Sequence, residues 1–152
     1  MLVTRSILHA DDDPQFTSLV AAYLKNCGYE VTPINDPLEV LPQLVRTQQR
    51  VVLLDFDMPI MNGIEVLRKI KAFDAGIQVI LLTGLASMTT VLEAMHEHAD
   101  ACFFKPVLDF QPLLEALNES FRKCERWWET LDELSQRRRS EKVLLEDSSL
   151  VS

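Results

Sequence analysis

Five short apolar runs, each followed by a segment with helical periodicity, constrain the fold of this 152-residue chain most strongly. The runs are Ser6–Ala10, Tyr29–Ile34, Val51–Leu54, Gln78–Leu82 and Ala101–Phe104. The middle runs are continuously apolar rather than alternating, which is typical of strands covered on both faces of a parallel sheet. Strand–helix alternation repeated five times therefore predicts an α/β fold with right-handed crossovers and helices on both faces.

The helical segments carry end signals. The first begins at Asp13-Pro14, a cap followed by proline at the first helical position, and ends at Gly28. The apolar residues predicted to lie on one face of it are Phe16, Leu19, Val20, Tyr23 and Cys27. The second begins with a capping-box pattern at residues 36–39, and Pro42 predicts that this helix is kinked or short.

Three more helices are predicted further along the chain. The third runs from about Gly63 to Phe73, and the fifth begins at Asp109 and continues past Phe121. The apolar face predicted for the fourth consists of Met88, Val91, Leu92 and Met95.

Composition limits the class of protein and its partners. The net charge of −8 argues against duplex DNA or an anionic membrane surface as the main partner. The three cysteines are widely separated, which argues against a disulfide framework or a structural zinc site. Because no apolar run approaches the roughly 20 residues that span a bilayer, and no signal peptide is evident, we expect a cytoplasmic protein.

Polar residues follow four of the five predicted strands. They are Asp11, Asp12 and Asp13 after the first, Asp55 after the third, Thr83 after the fourth and Lys105 after the fifth. Each alone is typical of a turn or a helix cap. Because ligands of open α/β sheets bind at the carboxyl ends of the strands, the joint pattern predicts one functional site.

Together these residues resemble the receiver domains of two-component response regulators, over roughly residues 5–122. The matching features are the pair Asp11-Asp12, the segment D-x-x-M-P-x-M-N-G from Asp55 to Gly63, Thr83 with a small residue after it, and Lys105-Pro106. The resemblance implies a doubly wound, flavodoxin-like parallel sheet of order 2-1-3-4-5. It also implies a receiver domain over residues 1–122.

The resemblance further implies that Asp55 accepts a phosphoryl group, which Thr83 and Lys105 contact. Mg2+ would be held by Asp12 and Asp55 directly, by Asp11 directly or through a water, and by the backbone carbonyl of Asp57. The chemistry agrees, because clustered carboxylates repel one another and Mg2+ prefers oxygen ligands.

Three positions depart from the family pattern. Cys102 stands where the family usually has an aromatic residue, so the usual coupling of that residue to Thr83 is in doubt. Leu85 borders the site and is expected to restrict the attacking water. His9, in the first strand, is interpreted as a hydrogen-bonded core residue rather than a ligand.

The implied function is a single-domain response regulator. It takes phosphate from a sensor histidine kinase or phosphotransfer protein and signals by phosphorylation-dependent binding of an unknown protein target. We expect an autocatalytic switch rather than a turnover enzyme. Two alternatives remain: a degenerate receiver serving as a structural or dimerisation module, and a metal-dependent aspartyl phosphohydrolase suggested by Asp55-Phe56-Asp57.

Residues 123–139 are predicted to extend the fifth helix, and residues 140–152 to form an irregular tail. A heptad seam comprises Leu114, Leu117, Phe121, Cys124, Trp128 and Leu131, of which Leu114 to Phe121 are expected to face the receiver core. Because Trp127 and Leu134 also need burial beyond the domain, we expect a homodimer held partly by residues 121–134.

Overall fold

The computed structural model describes residues 5–84 and 87–150, and the chain divides into two units, Met1–Phe121 and Arg122–Ser152. The strands are β1 (Ser6–Ala10), β2 (Glu30–Ile34), β3 (Val51–Asp55), β4 (Gln78–Thr83) and β5 (Ala101–Phe104). The helices are α1 (Pro14–Asn26), α2 (Val40–Thr47), α3 (Gly63–Phe73), α4 (Met88–His96) and α5 (Gln111–Leu150).

The five strands form one parallel sheet in the order β2-β1-β3-β4-β5, which confirms the predicted fold class. Every residue of β3 and β4 is buried, as their continuous apolar sequences predict. The two strands lie in the interior of the sheet, and Asp55 at the end of β3 pairs in register with Leu82 of β4.

Two hydrophobic clusters cover the two faces of the sheet. Helices α2, α3 and α4 pack on one face, over a cluster that includes Leu8, Leu54 and Leu81. Helices α1 and α5 pack on the other, over a cluster that includes Leu53 and Leu82. Alternate residues of one strand thus enter different clusters, as expected for a sheet buried on both sides.

Several predicted helix ends are confirmed. The Asp13 carboxylate accepts hydrogen bonds from two amides of the first turn of α1, and Gly28 after this helix has a left-handed φ of 92°. A 3-10 turn over Pro37–Glu39 precedes α2, which has only eight residues. The Asn62 side chain caps α3.

The apolar faces predicted for α1 and α4 coincide only in part with the faces that these helices bury. Helix α1 buries Thr17, Val20 and Leu24, whereas Leu19 is 63% exposed. The residues of the predicted apolar faces that are exposed are Leu19, Tyr23, Cys27, Met88, Leu92 and Met95. Helix α1 contains two overlapping apolar stripes, whereas the buried side of α4 carries the small residues Thr90 and Ala94. Periodicity alone does not decide which side of either helix faces the sheet.

The prediction of an irregular tail from residue 140 was also wrong, because α5 runs to Leu150. No glycine or proline follows Pro112, and residues 141–146 favour helix. Helix α5 starts two residues later than predicted, and the Asp109 side chain accepts a hydrogen bond from the Gln111 amide. None of the helices in the described ranges has the length and hydropathy needed to span a membrane.

Matched Leu→Ala substitutions test the corrected face of α1. Leu24→Ala should lower the free energy of unfolding by about 2–5 kcal/mol, because Leu24 is fully buried. Leu19→Ala, five residues earlier on the same helix, should change it by less than about 0.5 kcal/mol. Urea denaturation followed by circular dichroism measures both, and a larger loss for Leu19→Ala would contradict the assigned face.

Candidate functional site

Three carboxylates converge at the carboxyl edge of the sheet. Asp11 follows β1 directly, Asp12 comes next, and Asp55 is the last residue of β3. One oxygen from each can be chosen so that all three lie within 4.8 Å of one another. Asp11 and Asp55 are buried and Asp12 is exposed, so the cluster is reached from solvent on the Asp12 side.

The Lys105 ammonium lies beside two of these carboxylates. It is 2.5 Å from Asp11 Oδ2 and 3.3 Å from Asp55 Oδ1. The backbone amide of Lys105 donates to the carbonyl of Thr83, which fixes the end of β5 against the end of β4. The Lys105-Pro106 peptide bond is cis.

The ionisation of these groups is strongly coupled. Burial, and then the charge of Asp11, raise the pKa of Asp55 to about 6, although Lys105 opposes the rise. The pKa of Asp12 is also raised, by desolvation and by the charge of Asp11. Burial disfavours the charged form of Lys105, but its hydrogen bond to Asp11 and the charges of Asp55 and Asp11 outweigh this and raise its pKa.

This donor set fits a hard divalent cation. Three carboxylate oxygens are close enough to share one ion, and one lysine does not neutralise all three charges. The raised pKa values of Asp55 and Asp12 show the cost of gathering negative charge here, which a cation would relieve. Among the described residues, Asp11, Asp12 and Asp55 are the acidic side chains that the fold brings together in this way.

Gly63 allows the segment after β3 to lie close to the backbone of Asp55. Its amide donates to the carbonyl of Phe56 at 2.7 Å. A Cβ at this position would come within 2.7 Å of Phe56 Cα and closer still to the Asp55 carbonyl oxygen. A side chain would therefore push the start of α3 away from the Asp55 backbone.

The other predicted site residues are placed as follows. Thr83 is the last residue of β4 and is fully buried. Asp57 is exposed, and its amide lies 3.3 Å from Asp55 Oδ1, to which it donates a hydrogen bond. Metal binding by the backbone carbonyl of Asp57 stays a prediction. Leu85 lies outside the described residues.

Two residues at the site were not predicted. The Asn35 side chain donates to the carbonyl of Asp11 at 2.8 Å, and the Phe16 ring centroid lies 4.5 Å from the Lys105 ammonium. Asn35 directly follows β2, so the rule that identified the other polar residues would also have found it. The contact of Phe16 has no signal in the sequence, because it joins α1 to the residue after β5.

The interpretation of His9 as a hydrogen-bonded core residue was right about its burial and wrong about its hydrogen bonds. It is fully buried in β1, but among the described residues neither ring nitrogen has a hydrogen-bonding partner. Burial is the main reason that the pKa of His9 is lowered to about 4; Asp11 acts against this change and Lys105 reinforces it. His9 is therefore a neutral core residue whose ring makes no hydrogen bond to the described residues.

The position of Cys102 agrees with strand alternation. Cys102 packs against the cluster under α2 to α4, and Phe103 packs against the opposite one. Burial raises the pKa of the Cys102 thiol. The expected loss of an aromatic coupling to Thr83 stays a prediction.

A family model for the response regulator receiver domain matches residues 7–118. This chain belongs to the response regulator receiver family. The match includes the three acidic residues, Thr83 and Lys105, and its range agrees with the five-stranded sheet.

Named relatives support the same assignment. The transcriptional regulatory protein ZraR of Klebsiella oxytoca is 36% identical over 114 residues, which are 75% of this chain and 26% of that protein. The DNA-binding response regulator MtrA of Mycolicibacterium smegmatis is 32% identical over 100 residues, 66% of this chain and 43% of that protein. The matched part of the receiver thus spans less than half the length of these relatives.

A solved structure extends the likeness to three dimensions. The response regulator TrrA of Thermotoga maritima, solved in complex with Mg(2+)-BeF, superimposes with a TM-score of 0.70 at 27% identity. The superposition covers 77% of this chain and 99% of that one.

The raised pKa of Asp55 predicts a pH-dependent affinity of the receiver for Mg2+. Above pH 6 the carboxylate is ionised and available, whereas below pH 6 protons compete for it. The association constant should therefore fall about tenfold per pH unit below pH 6, and Asp12 should add to the fall. Calorimetric titration with Mg2+ at pH 7.5, 6 and 5 measures this, and equal affinity at all three values would contradict it.

Proposed function

We propose that this receiver acts as a single-domain response regulator of the cytoplasm. Its Asp55 takes a phosphoryl group from a sensor histidine kinase or a phosphotransfer protein. The observation that carries the proposal is the environment of Asp55, a buried carboxylate of raised pKa between two acidic residues and the Lys105 ammonium.

In this proposal Asp12 and Asp55 bind Mg2+ directly, Asp11 binds it directly or through a water, and the Asp57 carbonyl completes the protein ligands. The close approach of the three carboxylates supports this set. So does the name of the Thermotoga maritima structure, which describes a complex with Mg(2+)-BeF. Bound Mg2+ would offset negative charge on the phosphoryl oxygens.

The chain's own residues would carry out the transfer. An Asp55 carboxylate oxygen attacks the phosphorus in line, and the bond from phosphorus to the donor's leaving group breaks. The Lys105 ammonium, already 3.3 Å from Asp55, would offset charge on the transferring oxygens. Thr83 would donate its hydroxyl to a phosphoryl oxygen of the product. The chemistry is self-modification, so we propose a switch rather than a turnover enzyme.

Helix α4 offers a surface for the unknown protein target. Met88, Leu92 and Met95 recur at helical spacing and are exposed, so they form one apolar face. In the chain, α4 begins shortly after Thr83, the residue expected to contact the phosphoryl group. Its exposure supports signalling through a change of protein partner.

Nucleic acid and membranes are not proposed as partners. ZraR and MtrA are named as a transcriptional regulator and a DNA-binding regulator, but the regions matched are 26% and 43% of those proteins. The charge of this chain, −8, would oppose binding to phosphate-rich surfaces.

The two alternatives are less well supported. A degenerate receiver has no need of the acidic cluster and Lys105, whose charged groups lie close together here. The aspartyl phosphohydrolase is suggested by the second aspartate of Asp55-Phe56-Asp57. The acidic side chains gathered with Asp55 are instead those of Asp11 and Asp12, whereas Asp57 is exposed.

We also propose a homodimer through the distal part of α5, defined here as residues 122–134. Trp127, Trp128, Leu131 and Leu134 are exposed there at 45% or more, an apolar surface that soluble monomers rarely carry. The receiver part of the heptad seam faces the core as expected, because Leu117 and Phe121 are buried in the cluster under α1 and α5. A second copy of the chain would cover the remaining apolar residues.

Substitution of the acceptor tests the proposed chemistry. With Mg2+ and acetyl phosphate, the wild type should gain one phosphoryl group, and Asp55→Asn should gain none. Asp57→Asn is the matched control two residues away, and it should still be modified because only its backbone carbonyl is proposed to act. Intact-mass spectrometry measures all three. Normal modification of Asp55→Asn would refute the acceptor, and turnover of p-nitrophenyl phosphate by the wild type would favour the hydrolase.

Loss of one indole tests the dimer. Trp128→Ala should weaken self-association by at least tenfold, because a buried Trp at an interface typically contributes about 2 kcal/mol or more. Glu129→Gln, on the side of the helix away from all four apolar residues, should leave association unchanged. Sedimentation velocity from 1 to 100 µM measures the dissociation constants, and a wild type that is monomeric throughout would refute the dimer.

A further inference from the structure

His9, Phe16 and Lys105 form a series of contacts that leads to the acidic cluster, because Lys105 lies beside Asp11 and Asp55. The Lys105 ammonium lies 4.5 Å from the centroid of the Phe16 ring. The Phe16 ring contacts the His9 ring edge-to-face, with centroids 5.7 Å apart and planes at 73°. We propose that Phe16, supported by His9, is a positioning residue that holds the Lys105 ammonium in reach of Asp55. The proposal rests on the proposed phosphoryl acceptance at Asp55.

The position of the Lys105 ammonium needs such a contact. Its side chain is long and flexible, and Asp11 attracts it more closely than Asp55 does, at 2.5 Å against 3.3 Å. The face of an aromatic ring attracts a cation without accepting one of its N–H hydrogens in an ordinary hydrogen bond. Phe16 can therefore restrain the ammonium and leave its donors available for carboxylate and phosphoryl oxygens.

Phe16 is itself fixed from two sides. It lies in the first turn of α1, where the Asp13 carboxylate accepts a hydrogen bond from its amide. Its ring packs against the cluster under α1 and α5, and the His9 ring contacts it from β1. The cap of α1 and the central sheet thus both determine where the ring face lies.

His9 is hard to explain as a stabilising core residue. It is fully buried, and among the described residues its ring nitrogens have no hydrogen-bonding partner, so their desolvation is not offset by hydrogen bonds. A leucine would fill a similar volume without that cost. What a leucine cannot supply is the aromatic edge that contacts Phe16.

The experiment removes the ring and keeps its bulk. In full-length protein with saturating Mg2+ and acetyl phosphate, Phe16→Leu should slow phosphorylation of Asp55 by about three- to tenfold, the range expected for a partly buried cation–π contact. Phe16→Tyr, which keeps the ring, should react at close to the wild-type rate. Tyr23→Leu is the matched control, since Tyr23 is an aromatic residue of α1 that stacks on Phe110 rather than near Lys105.

His9 variants separate positioning from packing. His9→Leu should be as stable as the wild type or more stable in urea denaturation, and yet slower in phosphorylation. His9→Phe should restore the rate, because it restores the aromatic edge. A packing role would instead make rate and stability fall together, and that outcome would overturn the proposal for His9.

A spectroscopic readout decides the proposal independently of catalysis. The ε-methylene protons of Lys105 should be shifted upfield by the Phe16 ring current in the wild type and in Phe16→Tyr, and not in Phe16→Leu. An unshifted signal in the wild type, or a wild-type rate in Phe16→Leu, would overturn the proposal. If the wild type accepts no phosphoryl group at all, the proposed function fails, whereas the Lys105 signal still shows whether Phe16 holds the ammonium.

Discussion

The repulsion among Asp11, Asp12 and Asp55 is the constraint on which the rest of this structure depends. Two of these carboxylates are buried, and the pKa of Asp55 rises to about 6 because burial and Asp11 both disfavour its charge. Left to itself the cluster would separate or take up protons. Lys105, from the far edge of the sheet, offsets part of this charge, and the remainder makes the site receptive to a cation.

The sheet supplies the free energy that holds these charges together. β1 and β3 are adjacent and parallel, so the Asp11 and Asp55 backbones cannot separate without breaking the ladder that joins them. β3 is buried along its whole length, and hydrophobic clusters cover both faces of the sheet. Hydrophobic burial on the two faces of the sheet thus offsets the electrostatic free-energy cost at one edge.

The sequence predicts those parts of the structure that depend on local patterns. The apolar runs and their ends predict the strand positions, the parallel arrangement and the polar residues after the strands. Each of these patterns is only a few residues long. The exposed faces of α1 and α4 could not be predicted, because the apolar pattern does not mark the buried side of either helix and tertiary packing selects it. The lack of hydrogen-bonding partners for His9 among the described residues could not be predicted either. The same holds for the contact of Phe16 with Lys105, because these two residues are distant in sequence.

The neutrality of His9 completes the electrostatic arrangement of the site. Burial is the main cause of its low pKa of about 4, and the ring is therefore uncharged near neutral pH. A protonated ring here would attract the Asp11 carboxylate and repel the Lys105 ammonium, so it would compete with Lys105 for the same charge. A neutral aromatic ring supports Phe16 without that competition. Burial of His9 in β1 therefore has two effects. It desolvates the ring nitrogens, which costs stability, and it keeps the ring neutral, which leaves Lys105 as the cation that faces Asp55.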